Sequence, residues 1–297
     1  MKLTNVDPAT IDSPLAPVLR DLLKSPAIIA PKKADHIREL IAKQKIRLEV
    51  NDQAISTDFG VNRDRRIRTS LRGLEHLWGT LHAYLHLLDL AKAHPGQVMD
   101  LLTLPGGRTA REYLIWAFGD PTTPWPAGLP KPADIGDRMV VATNNLFLLC
   151  SGFILLHEIA HVVLGHTKQL ATNPETKIRR EYAADDWAVQ YVINGTEPAD
   201  LSTRLTSIAA TLGLIGGLEL YGEPGDIRGH PFPPDRIMHF MKNHVARVVT
   251  DPKVIAGCLF VAGVPIQAHL LKKGVGSMQP FETFEEFFAA TKHLYPS

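Results

Sequence analysis

The stretch that decides the reading is DRMVVATNNLFLLCSGFILLHEIAHVVLGH, Asp137–His166. Asp137 suits a helix N-cap, and Gly165 suits the residue that ends the same helix, so one long helix is expected from about Arg138 to Leu164. Within it, His157 and His161 are four residues apart. On a helix that spacing puts two imidazoles on one face with Cβ atoms roughly 5–6 Å apart, close enough to grip a single ion. Glu158 is the neighbour able to reach a metal-held water without becoming a ligand. With 13 histidines in the chain, a chance HExxH has a probability of roughly 2 in 100. The apolar surroundings sharpen the signal further. Three ionisable side chains in FILLHEIAHVVL are costly unless something pairs with them.

A catalytic zinc needs a third protein ligand. Leu164 stands where the metzincin pattern requires glycine, and Gly165 and His166 come one residue late, so His166 is expected just past the helix end. The next helix is well bounded: Asn173 caps it, Pro174 takes its first turn, and Gly195 stops it. Its apolar stripe of Ile178, Tyr182, Val189 and Val192 carries Glu181 and Asp185 in its middle. Carboxylates on a core-facing stripe need a cation or strong donors. Zinc on His157 and His161 would satisfy Glu181, and Asp185 could then accept the far ring N–H of a ligand histidine. The competing reading is that both acids line a water-filled groove. Arg179 and Arg180 lie off the stripe and read as solvated.

Working outward, KIRLEV (Lys45–Val50), QAISTDFG and RRIRTS suggest a small antiparallel sheet. Leucines and Trp78 recur at helical spacing from about Leu71 to Ala93, where His94-Pro95-Gly96 ends the pattern. The loop DPTTPWPAGLPKP (Asp120–Pro132) excludes regular structure. It marks a seam at about 120–135 between a mixed lobe, 1–119, and a helical lobe, 136–297, of one domain. Further helices are expected over Leu201–Leu220, Pro234–Val249, Lys253–Leu271 and Phe284–His293.

Composition sets limits. The 297 residues are 45% hydrophobic and 21% charged, ordinary for a globular protein and against disorder. A formal charge of +1, with no basic patch or helix-turn-helix, gives no case for nucleic acid. Cys150 and Cys258 sit in apolar runs and read as small core residues. The N-terminal MKLTNVDPATIDSP lacks a secretory h-region, and no uninterrupted apolar run reaches the roughly 20 residues of a transmembrane segment. A cytoplasmic location is expected, and peripheral membrane association is compatible with it. His82 and His86 have ligand spacing but no third partner. Gly213, Gly216 and Gly217 read as helix packing rather than a phosphate loop, and Trp125 as a packing anchor.

HEIAH followed by EYAAD (Glu181–Asp185) is similar to the HExxH…ExxxD pattern of gluzincin peptidases, and GHPFPPDRI (Gly229–Ile237) to the element that follows their zinc helices. More specifically, the chain resembles the Lit family of phage-exclusion peptidases, the U49 group. The likeness runs through SPAIIAPKK, SLRGLEHLW, WPAGLPKP, FILLHEIAHVVLGH, EYAADDWA and HPFPPDRI, in that order. It implies a zincin-like α+β fold, zinc on His157, His161 and Glu181, and Asp185 behind a ligand histidine. It also implies cleavage of translation elongation factor Tu, triggered by a phage-derived peptide. Two readings of His230 stand: a donor to the developing oxyanion or a structural cap. For Arg236 they are a buried pair with Asp185 or another acid, and a surface role. Rival functions are a zinc-binding sensor or adaptor that does not cut, and a regulatory peptidase acting on a transcription repressor.

Overall fold

The computed structural model describes residues 3–4, 11–52, 59–94, 104–117, 119–120, 122–169, 171, 173–221 and 231–272. His230 and the helix expected over 284–293 lie outside them, as does most of the first stretch that was expected to enter the sheet after Asp52.

Four strands, β1 (Leu3–Thr4), β2 (Arg47–Asn51), β3 (Phe59–Val61) and β4 (Arg66–Ser70), form one sheet in the order β1-β2-β4-β3. The expectation of an antiparallel sheet is corrected: β1 with β2 and β2 with β4 are parallel, and only β3 with β4 is antiparallel. The physical reason lies in the turn. The reversal falls between β3 and β4, where the Asn62 side chain accepts from the Arg66 amide at 3.0 Å and Arg65 takes a left-handed φ of 60°. β4 therefore inserts between β2 and β3 and runs alongside β2 (Leu48 opposite Ile67). Parallel neighbours need a crossover rather than a hairpin.

The first helices are α1 (Ala16–Leu22), α2 (Ser25–Ile29) and α3 (Ala34–Gln44). α4 (Leu71–Ala93) then begins directly on β4, with the Ser70 hydroxyl capping the Gly73 amide at 2.8 Å. α5 (Pro105–Ala117) has no counterpart among the expected helices. α6 (Arg138–Val163) and α7 (Pro174–Asn194) carry the expected caps: Asp137 accepts from Met139 N at 2.7 Å, and Asn173 from Thr176 N at 2.8 Å. Gly165, at φ 77°, closes the chain past α6 in a conformation that would strain any other residue type. α8 (Pro198–Tyr221) and α9 (Pro233–Phe240) follow. The helix expected over Pro234–Val249 is present and unbroken, as α9, a π-turn over Met241–Val245 and the short α10 (Ala246–Val248). α11 (Pro252–Lys272) packs on α8. A Cβ at Gly213 would collide with the backbone of Ala262, so this glycine serves helix packing.

α6 is the central helix, lying against α2, α4, α7 and α8. By length and hydropathy alone it could cross a membrane, yet 78% of its most apolar window is buried inside the fold. One apolar cluster runs from Leu15 through Trp78, Phe147 and Phe153 to Ala262. Cys150 and Cys258 are free and buried, and burial pushes their thiols up to about 12 and about 11. Trp125 packs between Trp78 and Trp116, each with ring centroids 5.5 Å away, and its indole N–H donates to Leu129 O at 3.0 Å. It anchors the proline-rich loop to α4 and α5.

Candidate active site

Burying HEIAH in the central helix makes its histidines depend on partners from outside α6. His157 and Glu158 are each 7% exposed. α7 crosses α6 and brings Glu181 to both imidazoles: Oε2 lies 3.3 Å from His157 Nε2, and Oε1 lies 3.4 Å from His161 Nε2. The two Nε2 atoms are 3.1 Å apart. A tetrahedral zinc with bonds of about 2.0–2.1 Å would require ligand atoms about 3.3–3.5 Å from one another. The carboxylate meets each imidazole through a different oxygen, and all three separations lie within a few tenths of an ångström of that range, so His157, His161 and Glu181 are a fitting donor set.

What lies behind the triangle explains its orientation. His157 Nδ1 is 2.9 Å from Asp185 Oδ1, one helical turn beyond Glu181 on α7. Asp185 is gripped in turn by Arg236 of α9, Nε to Oδ2 at 2.5 Å and Nη2 to Oδ1 at 2.7 Å. This decides between the two readings of Arg236: it is a buried partner of Asp185, not a surface residue. With Asp185 accepting, the Nδ1 proton of His157 is held on that side and Nε2 is left facing Glu181 and His161, where an ion would take the place of its proton. Exposure rises from Arg236 (5%) and Asp185 (6%) to His161 (12%) and Glu181 (13%). The Arg236–Asp185 end is the deepest and the His161–Glu181 end faces outward.

His166 was expected merely to follow the helix end. It does, and it also returns to the site, with Nδ1 3.0 Å from His161 Nδ1. It holds the far nitrogen of His161 as Asp185 holds that of His157. Its position is set by Arg180, whose Nη1 donates to the carbonyls of His166 at 3.3 Å and Gln169 at 2.5 Å. Arg180 is therefore not simply solvated. The GH pair at 165–166 was the available signal, since a left-handed glycine after the last turn folds the next side chain back over the helix.

The electrostatics favour positive charge at this point. Burial opposes the His157 imidazolium, but Asp185 and then Glu181 override it and raise its pKa to about 10. Burial and the neighbouring His157 drive His161 down to about 3. Burial would raise Asp185, yet Arg236 and His157 hold it at about 2. The pair His82 and His86 makes no comparable site. His82 stacks on Trp78 and bonds Thr143 Oγ1 at 3.0 Å, and burial first, then His86, lowers its pKa to about 4. It is a neutral core histidine.

The Peptidase U49 family model matches residues 67–249, a span that holds every site residue described above. The cell death peptidase of Escherichia coli (strain K12) is 26% identical over 226 residues, covering 70% of this chain and 74% of that protein. No solved structure matches the chain. With more than half of its length inside the family match, the chain belongs to the Peptidase U49 family, and its chemistry is proteolysis.

Proposed function

We propose that the chain is a zinc-dependent endopeptidase of the cytoplasm that cleaves translation elongation factor Tu when a phage-derived peptide is present. The observation that carries the metal reading is the triangle of His157 Nε2, His161 Nε2 and the Glu181 carboxylate. Its edges suit a tetrahedral ion, and both far imidazole nitrogens are already held. Bound there, zinc would polarise the scissile carbonyl and lower the pKa of a water.

The chain's own residues do the rest. Asp185, fixed by Arg236, keeps the Nδ1 proton on His157 and the ring in place. Glu158 takes a proton from the attacking water at its carboxylate and returns it to the leaving amine. Its burial keeps bulk water from competing for that proton. In this reading His230 donates to the developing oxyanion. The substrate and the trigger rest on the likeness to the Lit family.

The test mixes purified protein, zinc and elongation factor Tu, with and without extract from phage-infected cells. Cleavage only with infected extract, lost in Glu158→Gln by at least about 10²-fold with zinc retained, is the expected result. Rapid cutting of unrelated unfolded proteins without a trigger would sink the substrate reading. Wild-type cleavage by Glu158→Gln would remove Glu158 from the general-base role.

A further inference from the structure

A second cluster stands apart from the triangle. Asp186 of α7 receives two imidazoles on one oxygen: His239 Nε2 and His244 Nε2 each lie 2.7 Å from Oδ1. None of these residues belongs to the proposed active site, and their ligand atoms all lie within 4.8 Å of one another. The convergence is built by an unusual backbone. His239 and His244 are five residues apart, which on an α-helix would leave their side chains about 140° apart. The π-turn over Met241–Val245 widens the helix between them. Its i→i+5 bonding returns the fifth residue toward the face of the first, a distortion frequent at functional positions.

Each ring is also held from behind. His239 Nδ1 is 2.9 Å from the Asn243 side-chain amide, and His244 Nδ1 is 3.2 Å from that of Gln190. An amide can present its nitrogen or its oxygen, so either tautomer of each ring is accommodated. With the oxygen presented, Nδ1 keeps the proton and Nε2 turns a lone pair to the common point, the arrangement of metal-bound histidines. Two imidazoles and one carboxylate are a borderline donor set that suits zinc and its first-row neighbours.

We propose that Asp186, His239 and His244 form a second site for a divalent transition-metal ion of the zinc type, which pins α9 and its π-turn to α7. The present 2.7 Å separations are hydrogen-bond lengths. Admitting the ion widens each to about 3.3 Å, a small displacement for the Asp186 side chain, which is 44% exposed. The same exposure gives the ion a way in and water a place to complete its coordination. The site lies one residue from Asp185 and three from Arg236 on the same two helices. An ion there would hold α9 in the position from which Arg236 reaches Asp185.

The test counts ions bound to the full chain after chelation and titration with zinc. Wild type should bind two. His157→Ala/His161→Ala should bind one, and its melting temperature should rise with zinc by about 5 °C. His239→Gln/His244→Gln should also bind one. Asp186→Asn keeps the shape and hydrogen bonding of the position, so it guards against simple misfolding, and it should lose the second ion as well. The proposal is overturned if His239→Gln/His244→Gln and Asp186→Asn bind as many ions as wild type. It is overturned equally if His157→Ala/His161→Ala binds none. A wild type that binds one ion, kept in His157→Ala/His161→Ala and lost in the other two variants, supports this site while rejecting the triangle.

Discussion

Arg236 of α9 donates to both carboxylate oxygens of Asp185 on α7, with Nε 2.5 Å from Oδ2 and Nη2 2.7 Å from Oδ1. The pair is buried, and its outer oxygen also takes the Nδ1 of His157. A buried ion pair of this kind adds little net stability over an apolar pair of the same shape, but removing one partner leaves an uncompensated charge. Its value here is geometric, because Arg236, 51 residues beyond Asp185 in the chain, fixes the carboxylate that sets the direction of the His157 imidazole.

Breaking that grip should therefore have two separable effects. Arg236→Ala should destabilise the fold by about 3–5 kcal/mol, since Asp185 is left charged and buried. Asp185→Ala should weaken zinc binding at the triangle by about 10–100-fold. Urea unfolding and competition with a metal indicator measure the two effects. Equal zinc affinity in Asp185→Ala and wild type would show that His157 needs no such partner.

The ligand assignment has its own test. His157→Ala and His161→Ala should each bind one zinc fewer than wild type, because two remaining ligands hold the ion poorly against buffer. Glu181→Ala should do the same. Undiminished zinc content in Glu181→Ala, measured by elemental analysis, would mean that another residue completes the triangle.

His166 is a positioning residue. His166→Ala should leave the fold intact and lower zinc affinity at the triangle by about tenfold, as loss of a partner behind a ligand does. His166→Gln, which can still bond His161 Nδ1, should recover most of it. Failure of the glutamine to differ from the alanine would assign the effect to packing alone.

Acid should reveal the pair thermodynamically. The pKa of Asp185 falls from 3.8 to about 2 in the fold, because Arg236 and His157 outweigh the burial that would raise it. A depressed carboxyl contributes stability that is present above its unfolded pKa and is lost as pH falls through the folded one. In chelator, the stability gap between wild type and Asp185→Asn should narrow by about 2 kcal/mol from pH 5 to pH 2. A gap that stays constant over that window would show that Asp185 is not ionised in the folded protein.

The packing of α6 gives a prediction independent of any ion. A Cβ at Gly152 would meet the Ser25 carbonyl of α2 and Ile29, so Gly152→Ala should cost about 1–3 kcal/mol through overpacking. Thermal unfolding checks it, and a neutral substitution would mean that α2 shifts easily.

The features legible before folding were those set by neighbours within a turn or two. Asp137, Asn173, Pro174 and Gly165 bound their helices because capping uses local backbone groups. The i,i+4 spacings of His157 with His161 and of Glu181 with Asp185 state which side chains share a face. α5 escaped because its Pro-Gly-Gly start reads as a breaker, whereas packing on α4 holds it helical. Relations between distant segments were settled only by the folded chain. The parallel pairing of β2 with β4, the choice of Asp185 as the partner of Arg236, and the return of His166 to His161 all depend on how elements cross. The same holds for the π-turn that aims His239 and His244 at Asp186. Local propensity acts over a few residues, while the cost of burying a charge is offset by whichever partner tertiary packing brings within hydrogen-bond reach.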